Sequence, residues 1–253
     1  MSHQDALNQS DPSYQSGQRR LSYAEYAKHF DQMCELLPVY QENIDHLLDL
    51  LPKLDLPDNP KICDLGAGTG NYICAMSDVL PNARYVHVDM DKNMNDRARM
   101  KYKEKSLSDI EIIEDYIERV EFPEGEFDLV VCVNALNTTA PQLPVLRQMR
   151  KSLGPNGTLF LIDFGRKQRV LDWGWYILTN TLRTHGMARY IKAILENREA
   201  VKQNRHARKD QKSGLMWTHT LQEFSDLVTQ AGFKITTAKT CYRGYCDLVV
   251  ARK

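Results

Sequence analysis

Residues 62–72 read ICDLGAGTGNY, with Gly66, Gly68 and Gly70 at alternate positions behind Asp64. An apolar stretch leads in and a helical pattern, NYICAMSDVL, leads out. A strand that turns through glycines into a helix aims backbone N–H groups at one spot, where the helix N-terminus adds partial positive charge. Glycine lets a ligand lie close to that backbone. The form is D-x-G-x-G-x-G. It is not the dinucleotide fingerprint G-x-G-x-x-G, because Asn71 occupies the third glycine's place. No Gly-Lys-Ser/Thr follows, so it is not a P-loop either.

The rest of the chain repeats the strand–helix alternation. KICDLGA, ARYVHVDM, IEIIED, FDLVVCVNAL and TLFLIDFG read as strands, separated by helical NYICAMSDVL (closed by Pro81), KNMNDRARMKYKEK and QLPVLRQMRKSL, the last stopped at GPNG. KITTAKT and CDLVVARK close the chain as a hairpin after a helix that starts with a Thr220/Glu223 capping box and ends at Gly232. This predicts a doubly wound α/β fold: a mostly parallel seven-stranded sheet with a C-terminal antiparallel hairpin. Before it, Ser22 and Glu25 form another capping box, Pro38 interrupts, and Tyr40, Ile44, Leu47, Leu48 and Leu51 fall at helical spacing. The expected organisation is a flexible tail over 1–20 and one domain over 21–253. Within it lie N-terminal helices (21–57), core (58–165), a helical lid (166–215), and a closing helix and strands (216–253).

Lys plus Arg and Asp plus Glu both count 33, so no net field draws polyanions or anionic membranes. The basic run NREAVKQNRHARKDQK is read as a solvated helix face. No apolar run reaches transmembrane length, and MSHQDALNQSDPSYQSGQRR lacks an apolar signal-peptide region. Six cysteines without C-x-x-C spacing fit reduced core residues of a cytoplasmic protein and no metal site.

ICDLGAGTGNY closely resembles the first motif of class I S-adenosylmethionine-dependent methyltransferases. YVHVDMDKNM resembles the second, EDYIERV and FDLVVCVNAL the third and fourth, LGPNGTLFLID the segment around strand five, and AGF the segment before strand six. The resemblance implies a Rossmann-like fold with S-adenosylmethionine as cofactor. It implies that Asp64 holds the loop, with backbone near Gly66 taking the methionine ammonium. Gly66, Gly68 and Gly70 would accommodate the methionine portion, and Asp89 both ribose hydroxyls. Met90 would pack on the adenine, Asp115 would accept from its amino group with Tyr116 beside it, and Asn134 would lie under the methionine arm. Asp115 as the cap of a short DYIERV helix is an equal reading. Asp91 stands where the family often has Ser, and Cys63 where it often has an aliphatic residue.

NALN after strand four lacks N-P-P-Y, D-P-P-Y and Pro-Cys, which disfavours base-modifying and cytosine-C5 chemistry. A small-molecule acceptor is expected, modified at N or O rather than C. Tyr23, Tyr26, Phe30, Tyr40, Asn137, Trp173, Tyr176, His219, Tyr242 and Arg243 are candidate pocket liners; for each aromatic, a place in the core competes. Tyr176, His219 and Asn137 are the catalytic candidates, His219 as base at neutral pH. Two rival functions stand: cyclisation of the cofactor's aminocarboxypropyl arm, and a non-catalytic cofactor-binding subunit. A homodimer is left open.

Overall fold

The computed structural model describes Ala27, Phe30, Asp31, Cys34, residues 37–167, Arg169, 172–176, 178–180 and 216–253. The Ser22/Glu25 capping box, Tyr23, Tyr26 and most of the 166–215 segment lie outside the described residues.

Helix α1, Pro38–Leu48, begins at the proline expected to interrupt the chain. Proline is tolerated in a helix's first turn, where its missing N–H would be unbonded anyway. Its buried face is Val39, Asn43, Ile44 and Leu47, while Leu51 falls in a following 3₁₀ turn, Leu51–Lys53. Then come β1 (Lys61–Leu65), α2 (Asn71–Ser77), β2 (Arg84–Val88), α3 (Lys92–Glu104), β3 (Ile110–Ile113) and β4 (Phe127–Val133). They are followed by α4 (Gln142–Ser152), β5 (Leu153–Phe164), α5 (Leu221–Gln230), β6 (Lys234–Cys241) and β7 (Cys246–Arg252). The Thr220/Glu223 box caps α5 as the sequence predicts.

The seven strands order β3-β2-β1-β4-β5-β7-β6. Strands β1 to β5 run parallel, and β7 runs antiparallel to both β5 and β6. GPNG does not simply end a helix. Strand β5 begins at Leu153, directly after α4, and the ladder passes from the Phe127–Leu153 pair to Leu129–Thr158, so residues 154–157 bulge from it. Alternate residues feed two apolar layers. Ile62, Leu129, Val131, Phe160, Ile162, Leu248 and Val250 face α1 and α2. Cys63, Leu65, Val130, Cys132, Leu159, Leu161 and Val249 face α4 and α5. Burial on both faces is what the near-continuous apolar runs of β1 and β4 require.

From β1 the chain winds out to β2 and β3, then returns to β4 on β1's other side. That reversal opens a crevice at the carboxyl ends of β1 and β4, the place where open α/β sheets bind ligands. The glycine loop leaves β1 there and Asn134 leaves β4 there.

Candidate cofactor and acceptor site

The glycine loop is pinned from β2. Gly66 and Ala67 donate their N–H groups to Val88 O at 2.8 and 3.0 Å. Gly68 N–H donates to Asp89 Oδ2 at 2.8 Å, and Asp91 N–H to Asp89 Oδ1 at 2.8 Å. Gly70 is the N-cap of α2. A Cβ on Gly66 would stand 2.3 Å from the Cβ of Ala135, so β4's exit packs directly on the loop. A Cβ on Gly68 would meet nothing within 4 Å among the described residues. The backbone there is bare toward open space, a cradle a side chain would fill.

Asp64 is 1% exposed at the end of β1, and its Oδ2 has no partner among the described residues. Burial, with the nearby Asp89 second, pushes its carboxyl up to about 8. The Tyr72 hydroxyl is buried and likewise without a partner among the described residues. Burial also raises Asp89, against the two N–H groups that stabilise its charge. Behind Asp89 lies a closed relay: His87 Nδ1 meets Tyr102 Oη at 2.8 Å, and His87 Nε2 meets Asn95 Oδ1 at 2.9 Å. Asn95 Nδ2 donates to Asp89 O at 3.0 Å. Because Asn95 Oδ1 only accepts, Nε2 carries the histidine proton and Nδ1 accepts from Tyr102. Burial lowers His87 to about 4, consistent with a neutral ring.

The other cofactor candidates ring the same edge. Met90 is 46% exposed and Tyr116 is 39% exposed, beyond the ends of β2 and β3. Arg119 lies over the Tyr116 ring at 4.5 Å. Asp115 does not cap a helix: DYIERV forms a turn, and Asp115 Oδ1 accepts from the adjacent Tyr116 N–H at 2.7 Å. Asp91 is the N-cap of α3, accepting from Asn93 and Met94 N–H. Asn134 adopts φ 55°, a left-handed position Asn tolerates, and its Oδ1 accepts from Cys246 Sγ at 3.6 Å.

The catalytic candidates divide between the two layers. Tyr176 belongs to an aromatic wall on the α1/α2 side. Trp173 lies 5.8 Å from it, 5.2 Å from Tyr242 and 5.4 Å from Tyr245 by ring centroids. Arg243 covers the Tyr176 ring at 4.2 Å and pairs with Asp172 at 3.0 Å. Phe30, Tyr40 and Tyr72 continue the aromatic run through edge contacts at 6.3 and 6.2 Å. His219 is on the other side. It is 3% exposed, stacks on Phe224 at 4.3 Å, and directs Nδ1 to Asp247 Oδ2 and Thr220 O, both at 3.3 Å. Asn137 is 1% exposed; its backbone carbonyl accepts from Trp217 N–H at 3.0 Å, and its side-chain amide has no partner among the described residues. The structure therefore does not bring His219 and Asn137 to Tyr176.

Sequence reading passed over Asp31, Thr69, His87, Asn95, Asp163 and Asp247. Acids inside the apolar runs LFLIDF and CDLVVA are the available signal for Asp163 and Asp247. Both are wholly buried and face each other across β5 and β7.

Comparison with known proteins agrees with this geometry. Residues 62–157 match the family described as methyltransferase domain. The chain is 23% identical over 153 residues to a demethylmenaquinone methyltransferase of Geobacillus sp. (strain WCH70), covering 59% of this chain and 65% of that protein. It is 33% identical over 129 residues to the reducing polyketide synthase grgA of Penicillium sp, covering 46% of this chain and 5% of the synthase. Among solved structures, a SAM-dependent methyltransferase from Aquifex aeolicus aligns with TM-score 0.59 at 15% identity, covering 90% of this chain and 97% of that one. The cyclase SpnF aligns with TM-score 0.58 at 12% identity, covering 83% and 81%. The chain thus spans less than two thirds of the curated relatives it matches. Residues 62–157 thus carry a methyltransferase domain, and the chain has the fold of S-adenosylmethionine-dependent methyltransferases, whose cofactor is S-adenosylmethionine. Among the described residues no helix is long and apolar enough to cross a membrane, and no cluster of His, Cys, Asp or Glu could hold a metal ion.

Proposed function

We propose that the chain transfers a methyl group from S-adenosylmethionine to a small-molecule acceptor, at N or O rather than C. One observation supports this most: open space over the Gly68 backbone at the topological switch point, with the buried Asp64 Oδ2 at the end of the same strand lacking a partner among the described residues. A ligand with an ammonium group and a flat methionine arm meets both needs. Asp64 and the Gly66–Gly70 loop would hold that arm and Asp89 the ribose, while Met90, Asp115 and Tyr116 flank the adenine and Asn134 stands under the reacting end. Bound, the cofactor supplies a methyl carbon on a sulfonium, open to in-line displacement. The protein's part is to align the acceptor and exclude water. Tyr176 and its aromatic neighbours are placed to do that, with the tyrosine hydroxyl orienting a polar acceptor and the 166–215 segment acting as lid. His219 and Asn137, enclosed in the opposite layer, act on this reading through the β4 and β5 ends rather than by touching the acceptor.

The [4+2]-cyclase SpnF shares this fold, so the fold by itself does not fix the chemistry as methyl transfer. Incubation with S-adenosylmethionine, alone and with an extract of small metabolites, separates the readings by product mass. S-adenosylhomocysteine that forms only with extract supports methyl transfer. Methylthioadenosine formed without extract supports cyclisation of the cofactor's own arm, and absence of any turnover with intact binding supports a non-catalytic subunit.

A further inference from the structure

One carboxylate ties the N-terminal segment to the glycine loop. Ala27, Phe30, Asp31 and Cys34 are helical at i, i+3, i+4 and i+7, so they share a face; Ala27 and Cys34 are buried. Asp31 Oδ1 accepts from Thr69 Oγ1 at 2.6 Å and from Lys101 Nζ at 3.1 Å, and Oδ2 accepts from Arg97 Nε at 3.0 Å. Its side chain is 12% exposed. Thr69 stands between Gly68 and Gly70 and is 1% exposed. Lys101 also donates to Thr69 Oγ1 at 3.4 Å and to Asn71 Oδ1, and Asn71 Nδ2 donates to Tyr40 Oη at 3.1 Å. The network joins five pieces of chain: the N-terminal segment, the loop, the first residue of α2, α1 and α3.

The loop's neighbouring glycines have no side chains by which the fold could grip them. Thr69 is the one handle in Gly68–Thr69–Gly70, and Asp31 holds it with two cations behind. Burial alone would favour a neutral Asp31, but Thr69, Lys101 and Arg97 together bring it below its ordinary value, so it holds as an anion. An unheld glycine tripeptide would lose more backbone freedom on meeting a ligand, so holding it in advance lowers the cost of binding.

We propose that Asp31 is a positioning residue for cofactor binding, a clamp that holds the N-terminal segment on the glycine loop and keeps the loop in its ligand-binding shape. This rests on the cofactor reading above. An ion pair that merely supports the fold would also show these contacts, so the test separates the two.

S-adenosylhomocysteine association and dissociation are measured by stopped flow on the full chain, for wild type, Asp31→Asn, Thr69→Val and the double variant. Hydrogen exchange of peptides carrying residues 66–70 is followed in the ligand-free protein. The clamp requires dissociation to quicken about 5- to 30-fold in each single variant, with association within about 3-fold of wild type. It requires the double variant to be no worse than the more affected single one, since Asp31→Asn removes the charge on, and Thr69→Val the donor to, one and the same contact. Residues 66–70 must exchange faster without ligand. Thr69→Val, which keeps the side chain's shape, carries the test should Asp31→Asn fail to fold. Wild-type dissociation rates in variants that only melt earlier overturn the clamp alone. Failure of wild type to bind S-adenosylhomocysteine overturns the cofactor reading and the clamp with it.

Discussion

Gly66 and Gly68 both adopt left-handed φ, +76° and +57°, yet a Cβ at each meets different surroundings. Alanine at either position incurs the left-handed strain of about 1–2 kcal/mol. At Gly66 the new methyl also falls 2.3 Å from the Ala135 Cβ, with Ile117 Cδ1 at 3.4 Å. Ala135 has no flexible end to swing aside, so relief needs backbone movement, at about 1–3 kcal/mol more for overpacking. Gly66→Ala should therefore destabilise by about 2–5 kcal/mol. Gly68→Ala should show the strain alone, because no described atom lies within 4 Å of its Cβ. For ligand binding the order reverses among folded protein. A methyl on Gly68 occupies the space assigned to the methionine arm, and losing one charge-assisted hydrogen bond there costs about 1.5–3 kcal/mol, or roughly 10- to 100-fold in affinity. Urea unfolding measures the first quantity and calorimetric titration with S-adenosylhomocysteine the second. Gly66→Ala combined with Ala135→Gly should recover the overpacking part and leave the strain. Wild-type affinity in Gly68→Ala would refute the reading of that space as ligand space, and wild-type stability in Gly66→Ala would refute the packing argument.

Asp89→Ala should weaken S-adenosylhomocysteine binding by roughly 10- to 100-fold in calorimetry and also cost about 1–3 kcal/mol of stability, because it leaves the Gly68 and Asp91 N–H groups without their acceptor. Asp64, pushed up to about 8 in the folded ligand-free chain, binds a proton there that the unfolded chain releases near pH 4. Its contribution to stability is thus present at low pH and fades as pH rises from about 4 through 8, so unfolding midpoints should fall over that range. A bound ammonium favours the carboxylate, so ligand affinity should rise with pH up to about 8 with proton release, and titrations in buffers of different ionisation enthalpy that show no release would contradict the Asp64 contact. His219→Gln should lower stability by about 1–3 kcal/mol through the Phe224 stack and the Asp247 contact; a folded variant at wild-type stability that has lost turnover would instead make His219 a base. Tyr176→Phe should reduce turnover while cofactor affinity holds within about 3-fold, since the hydroxyl is assigned to the acceptor.

The succession of strands and helices along the chain was legible because each element carried its own signal: a near-continuous buried run in YVHV, i/i+4 burial in PVYQENIDHLL, a capping box at Thr220. The crevice was legible because three glycines and the acids behind them follow directly from strand ends. What escaped notice depended on contacts between residues distant in the chain. Asp31 meets Thr69, Arg97 and Lys101 across 38, 66 and 70 residues, a pairing without local pattern. GPNG reads as a helix stop because Gly and Pro break helices, but the neighbouring strand captures Leu153 before the bulge begins. His219 illustrates the same limit. A histidine beside a cap reads as available, and only the register of β5 with β7 shows Asp247 beneath it and Phe224 against its ring.

That register also separates the two kinds of chemistry the sheet holds. Asp163 and Asp247 lie on the α4/α5 face together with His219, where Arg166 Nη1 reaches Asp247 Oδ2 at 2.6 Å and burial lifts Asp163 to about 7. Phe164 and Cys246, one residue along each strand, point to the other face, where Tyr242 packs on Phe164 at 6.0 Å. At the ends of β5 and β7, then, the acids lie on one face of the sheet and the rings on the other. Arg243 lies among those rings, already engaged by Asp172 and by the Trp173 and Tyr176 faces. An acceptor on that side meets stacking surfaces and tyrosine hydroxyls before it meets free charge. A sulfonium donor needs alignment more than a proton acceptor, and an amine nucleophile attacks in its neutral form. On the proposed reading that demand is met by rings that orient a neutral acceptor, with Asp163 and Asp247 turned to the opposite layer.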